Sequence, residues 1–285
     1  MKIKGHSNFD VILNRTSKGN FFVRKSCRNK SENQRLKNQY TKQKVFSYDS
    51  NLIITPKIIN TGIKNDVFYF DMEYFDCLSF GELFEKRNYK TVNGFFNIIL
   101  NFIEENISLS KEKDITSILK EKYQNVKTNI KNINNNLDFE DIDIIFDSVE
   151  NIKVPIGPSH GDLTFSNILF DNKIIFIDFL DSFIESPLND IVKLRQDTLY
   201  KWSIDLLTEK RDITKLKLIF DELDKIIINK FAKYEFYKNH YDLFQLLNFL
   251  RILQYSKDKN TILYLLKNIK KISHNLIYEY KTYQI

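Results

Sequence analysis

One short segment carries side chains whose types and spacing suit the transfer of a phosphoryl group. Residues 159–169 read SHGDLTFSNIL, and Asp178 follows sixteen residues after Asp162. A carboxylate near a hydroxyl group can accept its proton, and carboxylate and amide oxygens are ligands that Mg²⁺ combines with phosphate oxygens. We therefore predict Asp162 as the group that orients or deprotonates an acceptor hydroxyl, and Asn167 and Asp178 as metal ligands. Together they predict phosphoryl transfer from a nucleotide.

The surroundings of this segment explain how these groups come together. Residues 154–184 interrupt a long stretch of helical periodicity, and apolar runs at 167–170 and 173–179 predict a β-hairpin. A loop that enters the first strand turns Asp162 and Asn167 toward one side, and the second strand ends beside them. Because loops on a rigid scaffold commonly position reactive groups, we expect the active site here.

The motifs HGDLTFSNIL, at 160–169, and IDF, at 177–179, resemble the catalytic and metal-binding loops of the aminoglycoside phosphotransferase / choline kinase family. That family is a branch of the protein-kinase-like fold in which HGDxxxxN replaces the HRDxxxxN of protein kinases. The resemblance implies ATP and Mg²⁺ as cofactors, a small-molecule alcohol as acceptor, and a loop-orienting role for His160 within the catalytic set. No long activation segment follows Asp178, which argues against a protein substrate. Asp190, in a segment that resembles the family's P-x-x-D, would cap a helix and fix the loop, and a substrate contact is the alternative.

The same resemblance assigns nucleotide contacts to the first part of the chain. Residues 22–25 (FVRK) resemble the strand that ends in the phosphate-binding lysine, and strand alternation places Val23 and Lys25 on one face. A solvated lysine at a strand end is the alternative interpretation of Lys25. Residues 5–9 (GHSNF) resemble a degenerate phosphate-covering loop in which Ser7 would contact the nucleotide, and a plain hairpin turn is the alternative there.

A helix and a hinge complete the expected nucleotide site. In this fold the lysine normally pairs with a helix glutamate about fourteen to sixteen residues further on. Here the residue fourteen positions after Lys25 is Gln39, and the only carboxylate of the predicted helix is Glu32. We favour a neutral hydrogen bond between Lys25 and Gln39 over a contact with Glu32. The YFDMEYF stretch resembles the strand that runs into the hinge, where the backbone from Glu73 to Phe75 would bind adenine.

Hydrophobic periodicity predicts an α+β chain with two lobes. Strands are expected at 9–13, 21–24, 52–54, 57–59 and 67–72, with a turn at 62–66 and one helix at 31–46 that has Ser31 as its N-cap. The S-x-x-E pattern at 79–82 opens a helical region. We assign residues 1–75 to an N-terminal nucleotide-binding lobe. Residues 76–285 form the helical lobe with the catalytic loop and the acceptor site, in the bilobal protein-kinase-like fold that the resemblance implies.

Composition excludes several other classes of protein. The chain has 285 residues, of which 42% are hydrophobic and only 7 are Gly and 4 are Pro, so collagen-like and linker-rich classes are excluded. Two cysteines, Cys27 and Cys77, cannot form a disulfide framework, so we expect a cytoplasmic location. No run approaches the ~18 apolar residues of a membrane span, and the first residues lack the apolar core of a signal peptide. The oligomeric state stays open.

The distribution of charge argues against nucleic acid as a partner. The net charge of +6 divides into +7 for residues 1–76, −7 for residues 77–200 and +6 for residues 201–285. A nucleic-acid binder more often shows a basic stripe with interleaved aromatic residues, and the basic residues here are scattered. The acidic stretch 138–150 is interpreted as a solvated helix face, and the alternative is a wall of a site for a cationic acceptor.

Two functions are compatible with these motifs. The first is an ATP- and Mg²⁺-dependent kinase that phosphorylates a sugar, a sugar-linked alcohol or an amino alcohol such as choline. The second is a catalytically silent, kinase-like nucleotide-binding or scaffold protein. The presence of the predicted lysine, base and metal ligands counts against silence, whereas the weak phosphate loop and the missing helix glutamate count for it. The basic C-terminal part makes polycationic aminoglycosides a less attractive acceptor.

Overall fold

The computed structural model describes residues 9–46, 50–133, 137–204 and 211–283. Its strands are β1 (Asp10–Arg15), β2 (Phe21–Ser26), β3 (Ile53–Ile54), β4 (Ile58–Lys64), β5 (Val67–Glu73), β6 (Lys111–Asp114), β7 (Lys153–Ile156), β8 (Ile168–Phe170) and β9 (Ile174–Phe176). Its α-helices are α1 (Asn33–Val45), α2 (Phe80–Lys86), α3 (Tyr89–Ser108), α4 (Thr116–Ile133), α5 (Glu140–Ser148), α6 (Pro187–Thr198), α7 (Ile213–Phe231), α8 (Glu235–Leu253) and α9 (Lys259–Tyr283). Strands and one helix thus come first, and helices dominate the remainder.

Four antiparallel strands form the N-terminal sheet in the order β1-β2-β5-β4. The turn between β4 and β5 consists of Asn65 and Asp66, whose φ angles of 51° and 64° suit a two-residue hairpin. Strand β4 therefore continues through Gly62 to Lys64, and the observed two-residue turn is shorter than the turn predicted at 62–66. Helix α1 packs on this sheet through the fully buried Leu36, which belongs to the same hydrophobic cluster as Phe70.

The beginning of α1 differs from the prediction. Ser31 is not its N-cap, because α1 begins at Asn33 and the hydroxyl of Ser31 donates to Oδ1 of Asn29 at 2.5 Å. The Asn33 side chain instead accepts from the N–H of Phe68 and donates to the carbonyl of Asp66, both at 2.8 Å. The helix start is therefore fixed by bonds to the β4–β5 hairpin, and a local capping pattern does not reveal such tertiary contacts.

A second sheet joins the N-terminal part of the chain to the predicted hairpin. Strands β8 and β9 are antiparallel, and β3 pairs in parallel with β9 so that Ile53 lies opposite Ile174. Both residues are buried in the large hydrophobic cluster of the helical region. The hairpin that carries the predicted metal ligands is thus held on one edge by a strand from the first part of the chain.

The helical region packs around an aromatic core that includes part of the predicted active-site loop. Helix α2 opens with the expected capping box, in which Ser79 and Glu82 bond each other's backbone N–H groups. Phe84, Phe165 and Phe220 are almost completely buried, and their ring centres lie 5.3 to 5.7 Å apart. Because Phe165 lies within the loop, this cluster anchors the loop to the core.

The sequence patterns missed one small sheet. Strands β6 and β7 pair antiparallel, with Lys111 opposite Ile156. Strand β6 reads KEKD and is exposed along its whole length, so it lacks the apolar alternation by which a strand is predicted. Strand β7 ends at Ile156, and residues 157–159 separate it from His160, the first residue of the predicted active-site loop.

Each end of the chain has its own hydrophobic cluster. The smaller cluster includes residues from Phe9 to Met72, and the larger one extends from Ile53 to Ile277. The division between residues 75 and 76 falls just after β5 and stays a prediction. Among the helices of the described residues, none combines the length and the apolar character that crossing a bilayer requires.

Candidate active site

Helix α6 fixes residues 160–167, called the catalytic loop below. Asp190 of α6 is fully buried, and its two carboxylate oxygens accept from the N–H of His160 at 2.7 Å and from the N–H of Gly161 at 2.8 Å. These bonds pair two backbone donors that burial would otherwise leave unsatisfied. Asp190 thus fixes the loop, as expected, but it does not cap the helix. The cap is the Ser186 hydroxyl, because the Asp190 carboxylate is occupied by the loop.

A second buried carboxylate of α6 holds the far side of the loop. Asp197 accepts from the N–H of Phe165 at 2.6 Å and from the N–H of Ser203 at 3.0 Å. Burial raises the pKa of Asp190 to about 7 and that of Asp197 to about 6, and the bonds from backbone N–H groups act in the opposite direction. The sequence analysis missed Asp197. Its position two helical turns after Asp190, on the same face of α6, was the available signal.

Gly161 occupies a space that no larger residue fits. Its φ is +85°, and a Cβ atom there would lie 1.9 Å from the carbonyl oxygen of Leu180 and 2.9 Å from Nζ of Lys42. Lys42 is itself held in place, because it donates to that same carbonyl at 2.7 Å and to Glu185 at 2.6 Å. The catalytic loop can therefore pass Leu180 and Lys42 only if position 161 is a glycine.

His160 is placed to shape the loop. The imidazole is fully buried, its Nε2–H donates to the carbonyl of Ile177 at 2.9 Å, and its Nδ1 accepts from the N–H of Asp162 at 3.2 Å. The ring stacks on Phe179 with centres 4.3 Å apart. Burial lowers the pKa of His160 to about 4, so the ring is neutral near pH 7. This arrangement supports the expected orienting role and leaves neither ring nitrogen free to transfer a proton.

Asp162 lies between an amide and an ammonium group. Its Oδ1 is 3.1 Å from Nζ of Lys193, and its Oδ2 accepts from Nδ2 of Asn167 at 3.0 Å. The side chain keeps 29% of its surface exposed, so a solute can reach it. Burial favours the neutral acid, but the charge and hydrogen bond of Lys193, with the bond from Asn167, outweigh it and lower the pKa of Asp162. The carboxylate is therefore ionised near neutral pH.

The β8–β9 hairpin brings the two predicted metal ligands together. The N–H of Ile177 donates to the carbonyl of Asn167 at 3.1 Å, so the beginning of β8 lies beside the end of β9, where Asp178 follows. Asp178 adopts a positive φ of 60°, which Asp tolerates better than most residues. The Nδ2 of Asn167 is used by Asp162, at its carbonyl and its carboxylate. The amide oxygen of Asn167 accepts no hydrogen bond within the described ranges.

These oxygens fit Mg²⁺ bound together with a nucleotide. No group of three or more His, Cys, Asp or Glu in the described part of the chain could hold a metal ion by itself. The amide oxygen of Asn167 and the carboxylate of Asp178 are two hard oxygen donors. Mg²⁺ is commonly bound by one or two such protein ligands, with phosphate oxygens and waters in its other positions. These two donors therefore suit Mg²⁺ better than a metal ion whose ligands must all come from the protein.

Lys25 connects strand β2 to the hairpin. Its side chain is 3% exposed, and Nζ lies 3.0 Å from Oδ1 of Asp178, which is 153 residues away in the sequence. Val23 is buried as well, in keeping with strand alternation. Arg24 is part-exposed and forms two bonds to Asp71 on β5, at 2.7 and 2.8 Å. Lys25, rather than Arg24, is therefore the cation beside the predicted metal site.

Neither helix residue that was expected to contact Lys25 does so. Glu32 accepts from the N–H of Arg28 at 3.4 Å, and the buried amide oxygen of Gln39 has no hydrogen-bond partner among the described residues. The predicted Lys25–Gln39 hydrogen bond is thus absent from this part of the structure. The physical reason is that the carboxylate of Asp178 binds an ammonium group more strongly than a neutral amide does. The amide oxygen of Gln39 stays available to another donor.

The hinge residues differ in what they can offer to adenine. The backbone N–H of Glu73 donates to the carbonyl of Lys57 at 3.0 Å, and the Glu73 carboxylate accepts from the N–H of Lys57 at 2.9 Å. Phe75 is part-exposed, and no hydrogen bond of its backbone occurs within the described ranges. Phe75 is therefore the better placed of the two predicted contacts. The prediction for Ser7 and its loop lies outside the described residues.

Lys193 is a candidate functional residue that the sequence analysis missed. It lies on α6 between Asp190 and Asp197, at 12% exposure, and it is the cation that contacts Asp162. The three charged residues follow an i, i+3, i+7 pattern, which places them on one helix face. This spacing is visible in the sequence. Only the structure shows that Asp190 and Asp197 bind N–H groups of the loop and that Lys193 contacts Asp162.

Comparison with known proteins supports the fold. No protein-family model matches the sequence, and no curated protein does. A protein assigned as a fructosamine-3-kinase from Haemophilus somnus 129PT is similar in structure with a TM-score of 0.53 and 13% identity, over 97% of this chain and 90% of that chain. A variant of the Mycobacterium tuberculosis PknI kinase domain gives a TM-score of 0.35 and 9% identity, over 95% and 93% of the two chains.

A third similar structure is a macrolide 2'-phosphotransferase type I, with a TM-score of 0.43 and 10% identity over 94% of this chain and 90% of that chain. At these identities a likeness shows the fold alone, and the first structure, with a TM-score above 0.5, is the one that carries it. The chain has the α+β, bilobal protein-kinase-like fold, which confirms the fold predicted from the sequence.

Proposed function

We propose that this protein transfers the γ-phosphoryl group of ATP to a hydroxyl group of a small molecule, with Mg²⁺ as cofactor. The observation that carries the proposal is a pair of contacts between four predicted residues. Lys25 lies 3.0 Å from Asp178, and Asn167 donates to Asp162 at 3.0 Å. A phosphate-binding cation, two metal ligands and a candidate base thereby gather where the first sheet meets the hairpin.

Each group has a separate role in this proposal. Lys25 binds the α- and β-phosphates, and Asn167 and Asp178 hold Mg²⁺. When bound, the ion neutralises charge on the phosphate oxygens. Gln39 is a further proposed nucleotide contact, and so is Ser7, which lies outside the described residues. The backbone of Glu73 and Phe75 is proposed to bind the adenine. Residues 1–75 would form the nucleotide-binding lobe and residues 76–285 the lobe that holds the acceptor.

Asp162 is the proposed base. Because its pKa is lowered, the carboxylate is ionised near pH 7 and can accept a hydrogen bond from the acceptor hydroxyl. That bond orients the hydroxyl oxygen toward the phosphorus atom. The proton then passes to Asp162 as the new O–P bond forms and the bond to the leaving ADP breaks. In a loose transition state this proton moves late, so much of the benefit comes from orientation.

A catalytically silent nucleotide-binding protein is the second candidate. The observation that favours it is the absence of a helix carboxylate beside Lys25 in the described residues, which leaves Asp178 as the partner of the lysine. If that ion pair persists when ATP is present, Asp178 cannot serve fully as a metal ligand. The two candidates differ in turnover, while both bind nucleotide.

Calorimetry of ATP binding with and without Mg²⁺, together with ADP release over a panel of alcohols, tests the proposal. Wild type should bind ATP in a Mg²⁺-dependent manner, and Asp178→Asn should remove that dependence. Asp162→Asn should keep MgATP binding while turnover falls by about 10²–10⁴, the usual worth of a positioned acid–base group. Equal turnover of wild type and Asp162→Asn would exclude this role for the loop. MgATP binding without turnover on any alcohol would favour the silent protein.

A further inference from the structure

A cavity of about 690 Å³ lies outside the proposed active site. Its wall comes from helix α1, the end of α3, residues 157–159 and the segment that connects Asp178 to α6. Among the described residues that line it, none belongs to the proposed catalytic or metal-binding set. The volume lies within the range of small-molecule sites in proteins. The fold therefore offers room for a ligand that is separate from the nucleotide and the metal.

The wall of this cavity is largely apolar. Val45 of α1 and Leu109, which follows α3, both line it, and they are 82% and 65% exposed. Phe46 and Pro158 extend the same apolar wall. Because apolar surface in contact with water is unfavourable, a ligand with an apolar body would be stabilised by covering these side chains.

One position of the wall supplies an unpaired hydrogen-bond donor. Asn106, in the last turn of α3, lines the cavity and is only 3% exposed. Its Nδ2 is buried and has no hydrogen-bond partner among the described residues. A buried donor without a partner is unfavourable until an acceptor reaches it. The amide of Asn106 is therefore the group to which an oxygen atom of a ligand would bond.

The charged residues of the wall disfavour an anionic ligand. Lys42 is the one cation among the described lining residues, and it already donates to the carbonyl of Leu180 at 2.7 Å and to Glu185 at 2.6 Å. Asp181 accepts from Asn38 at 3.0 Å and has no cationic partner within the described ranges. An anion would thus meet two carboxylates and an ammonium group that is already bound. A cation would have to leave water for a largely apolar wall.

We infer that this cavity is a second ligand site, which takes an uncharged, largely apolar small molecule whose oxygen atom accepts a hydrogen bond from Nδ2 of Asn106. The apolar body of the ligand lies against Val45 and Leu109. The inference goes beyond the proposed function and does not depend on it, because no residue of the proposed phosphotransfer takes part in binding.

The test uses benzophenone, which has two phenyl rings and one carbonyl oxygen. Diphenylmethane has the same rings without the oxygen, and 4-benzoylbenzoate adds a negative charge. Ligand-observed NMR titrations of the purified full-length chain give the three dissociation constants. Wild type should bind benzophenone, and it should bind 4-benzoylbenzoate more weakly.

Variants of Asn106 isolate the hydrogen bond. Because benzophenone and diphenylmethane also differ in hydration, the quantity compared is the ratio of their affinities in each protein. Asn106→Leu should lower the affinity for benzophenone relative to diphenylmethane by roughly two- to tenfold, the worth of one neutral hydrogen bond. Asn101→Leu, at an exposed position of α3, is the matched control and should keep the wild-type ratio.

A second measurement locates the bound molecule without relying on Asn106. Ultraviolet light activates the benzophenone carbonyl to form a covalent bond with C–H groups that it contacts, and mass spectrometry of peptides then identifies the labelled residues. The label should lie on peptides that contain Val45 or Leu109. Val45→Trp, which narrows the cavity, should reduce labelling several-fold, whereas Leu218→Trp, at an exposed position of α7, should not.

Each element of the inference can be overturned. No binding of benzophenone up to its solubility limit, or labelling confined to other peptides, would exclude the site. Tighter binding of 4-benzoylbenzoate than of benzophenone would exclude an uncharged ligand. If Asn106→Leu keeps the wild-type ratio, its amide does not bind the oxygen atom. The midpoint of urea unfolding should not fall in Asn106→Leu, because this change removes a donor that is unpaired in the free protein. A lower midpoint would mean that the donor is already satisfied without a ligand.

Discussion

Nζ of Lys193 lies 3.1 Å from Oδ1 of Asp162, and the helix that carries this lysine also anchors the loop that carries the aspartate. Lys193 is only 12% exposed, so solvent screens the pair incompletely. Burial favours the neutral acid, but the charge and the hydrogen bond of Lys193, together with the bond from Asn167, outweigh it and lower the pKa of Asp162. The ion pair therefore keeps the proposed base charged, at the cost of making it a weaker base.

Lys193→Met should shift the acid limb of the pH profile of kcat/KM to higher pH. Without the ammonium group, burial dominates and the pKa of Asp162 rises, so the inactive, protonated form persists further into the neutral range. Turnover on a working acceptor is measured between about pH 4.5 and 8. Lys193→Arg keeps the charge and should keep the limb of wild type. An acid limb that is the same in the Met variant would show that Lys193 does not set the protonation of Asp162.

Lys25→Met should weaken MgATP binding far more than Arg24→Met does. Lys25 is buried beside Asp178, so its loss removes a charged contact to phosphate worth roughly 1.5–3 kcal/mol. Arg24 pairs instead with the buried Asp71, and its loss should lower the free energy of unfolding by about 1–3 kcal/mol with little effect on nucleotide. Calorimetry and urea unfolding of both variants separate the two effects. A larger loss of affinity in Arg24→Met would reverse the assignment.

Gly161→Ala should disrupt the catalytic loop. A Cβ atom would lie 1.9 Å from the carbonyl oxygen of Leu180, and the φ of +85° is itself unfavourable for alanine. We expect a loss of about 1–3 kcal/mol in unfolding free energy from backbone strain, with a collapse of turnover. Gly94→Ala is the control, because Gly94 lies in α3 with open space around it and should gain up to about 1 kcal/mol. If Gly161→Ala folds and turns over as wild type does, the close approach to Leu180 is not a constraint.

Local patterns predicted most of the helices and the β8–β9 hairpin, because a periodicity of apolar residues directly reflects which face is buried. They also placed Asp162, Asn167 and Asp178 in one region, since fixed spacing along a loop and a hairpin limits where these residues can lie. Patterns could not reveal the parallel pairing of β3 with β9, which joins residues about 120 positions apart. The strand β6 carried no apolar signal at all.

The partners of buried charges were the least predictable feature. Lys25 pairs with Asp178 on the distant hairpin, whereas the sequence pointed to Gln39 on the next helix. Local spacing can suggest a partner within one element, but an ammonium group takes the strongest acceptor that the whole fold brings near. Lys193 was missed for the same reason, because it is not adjacent in sequence to Asp162, with which it forms an ion pair.

The last prediction concerns the pH dependence of stability that Asp190 causes. Burial raises its pKa to about 7 from an ordinary value of 3.8. Between these values the folded protein binds more protons than the unfolded chain. The contribution of Asp190 to stability is therefore complete below about pH 3.8 and is lost as the pH rises through about 7.

Asp190→Asn removes this titration with little change in size. The unfolding free energy of wild type minus that of the variant should therefore fall by roughly 1–3 kcal/mol between about pH 5 and pH 8.

His160, whose pKa is lowered to about 4, stabilises the fold increasingly as the pH rises toward 6.5, but it is present in both proteins and cancels in the difference. Urea unfolding of both proteins at a series of pH values gives the measurement. A difference for Asp190→Asn that stays constant or increases with pH would mean that the loop's N–H groups, and not burial, determine the charge of this carboxyl group.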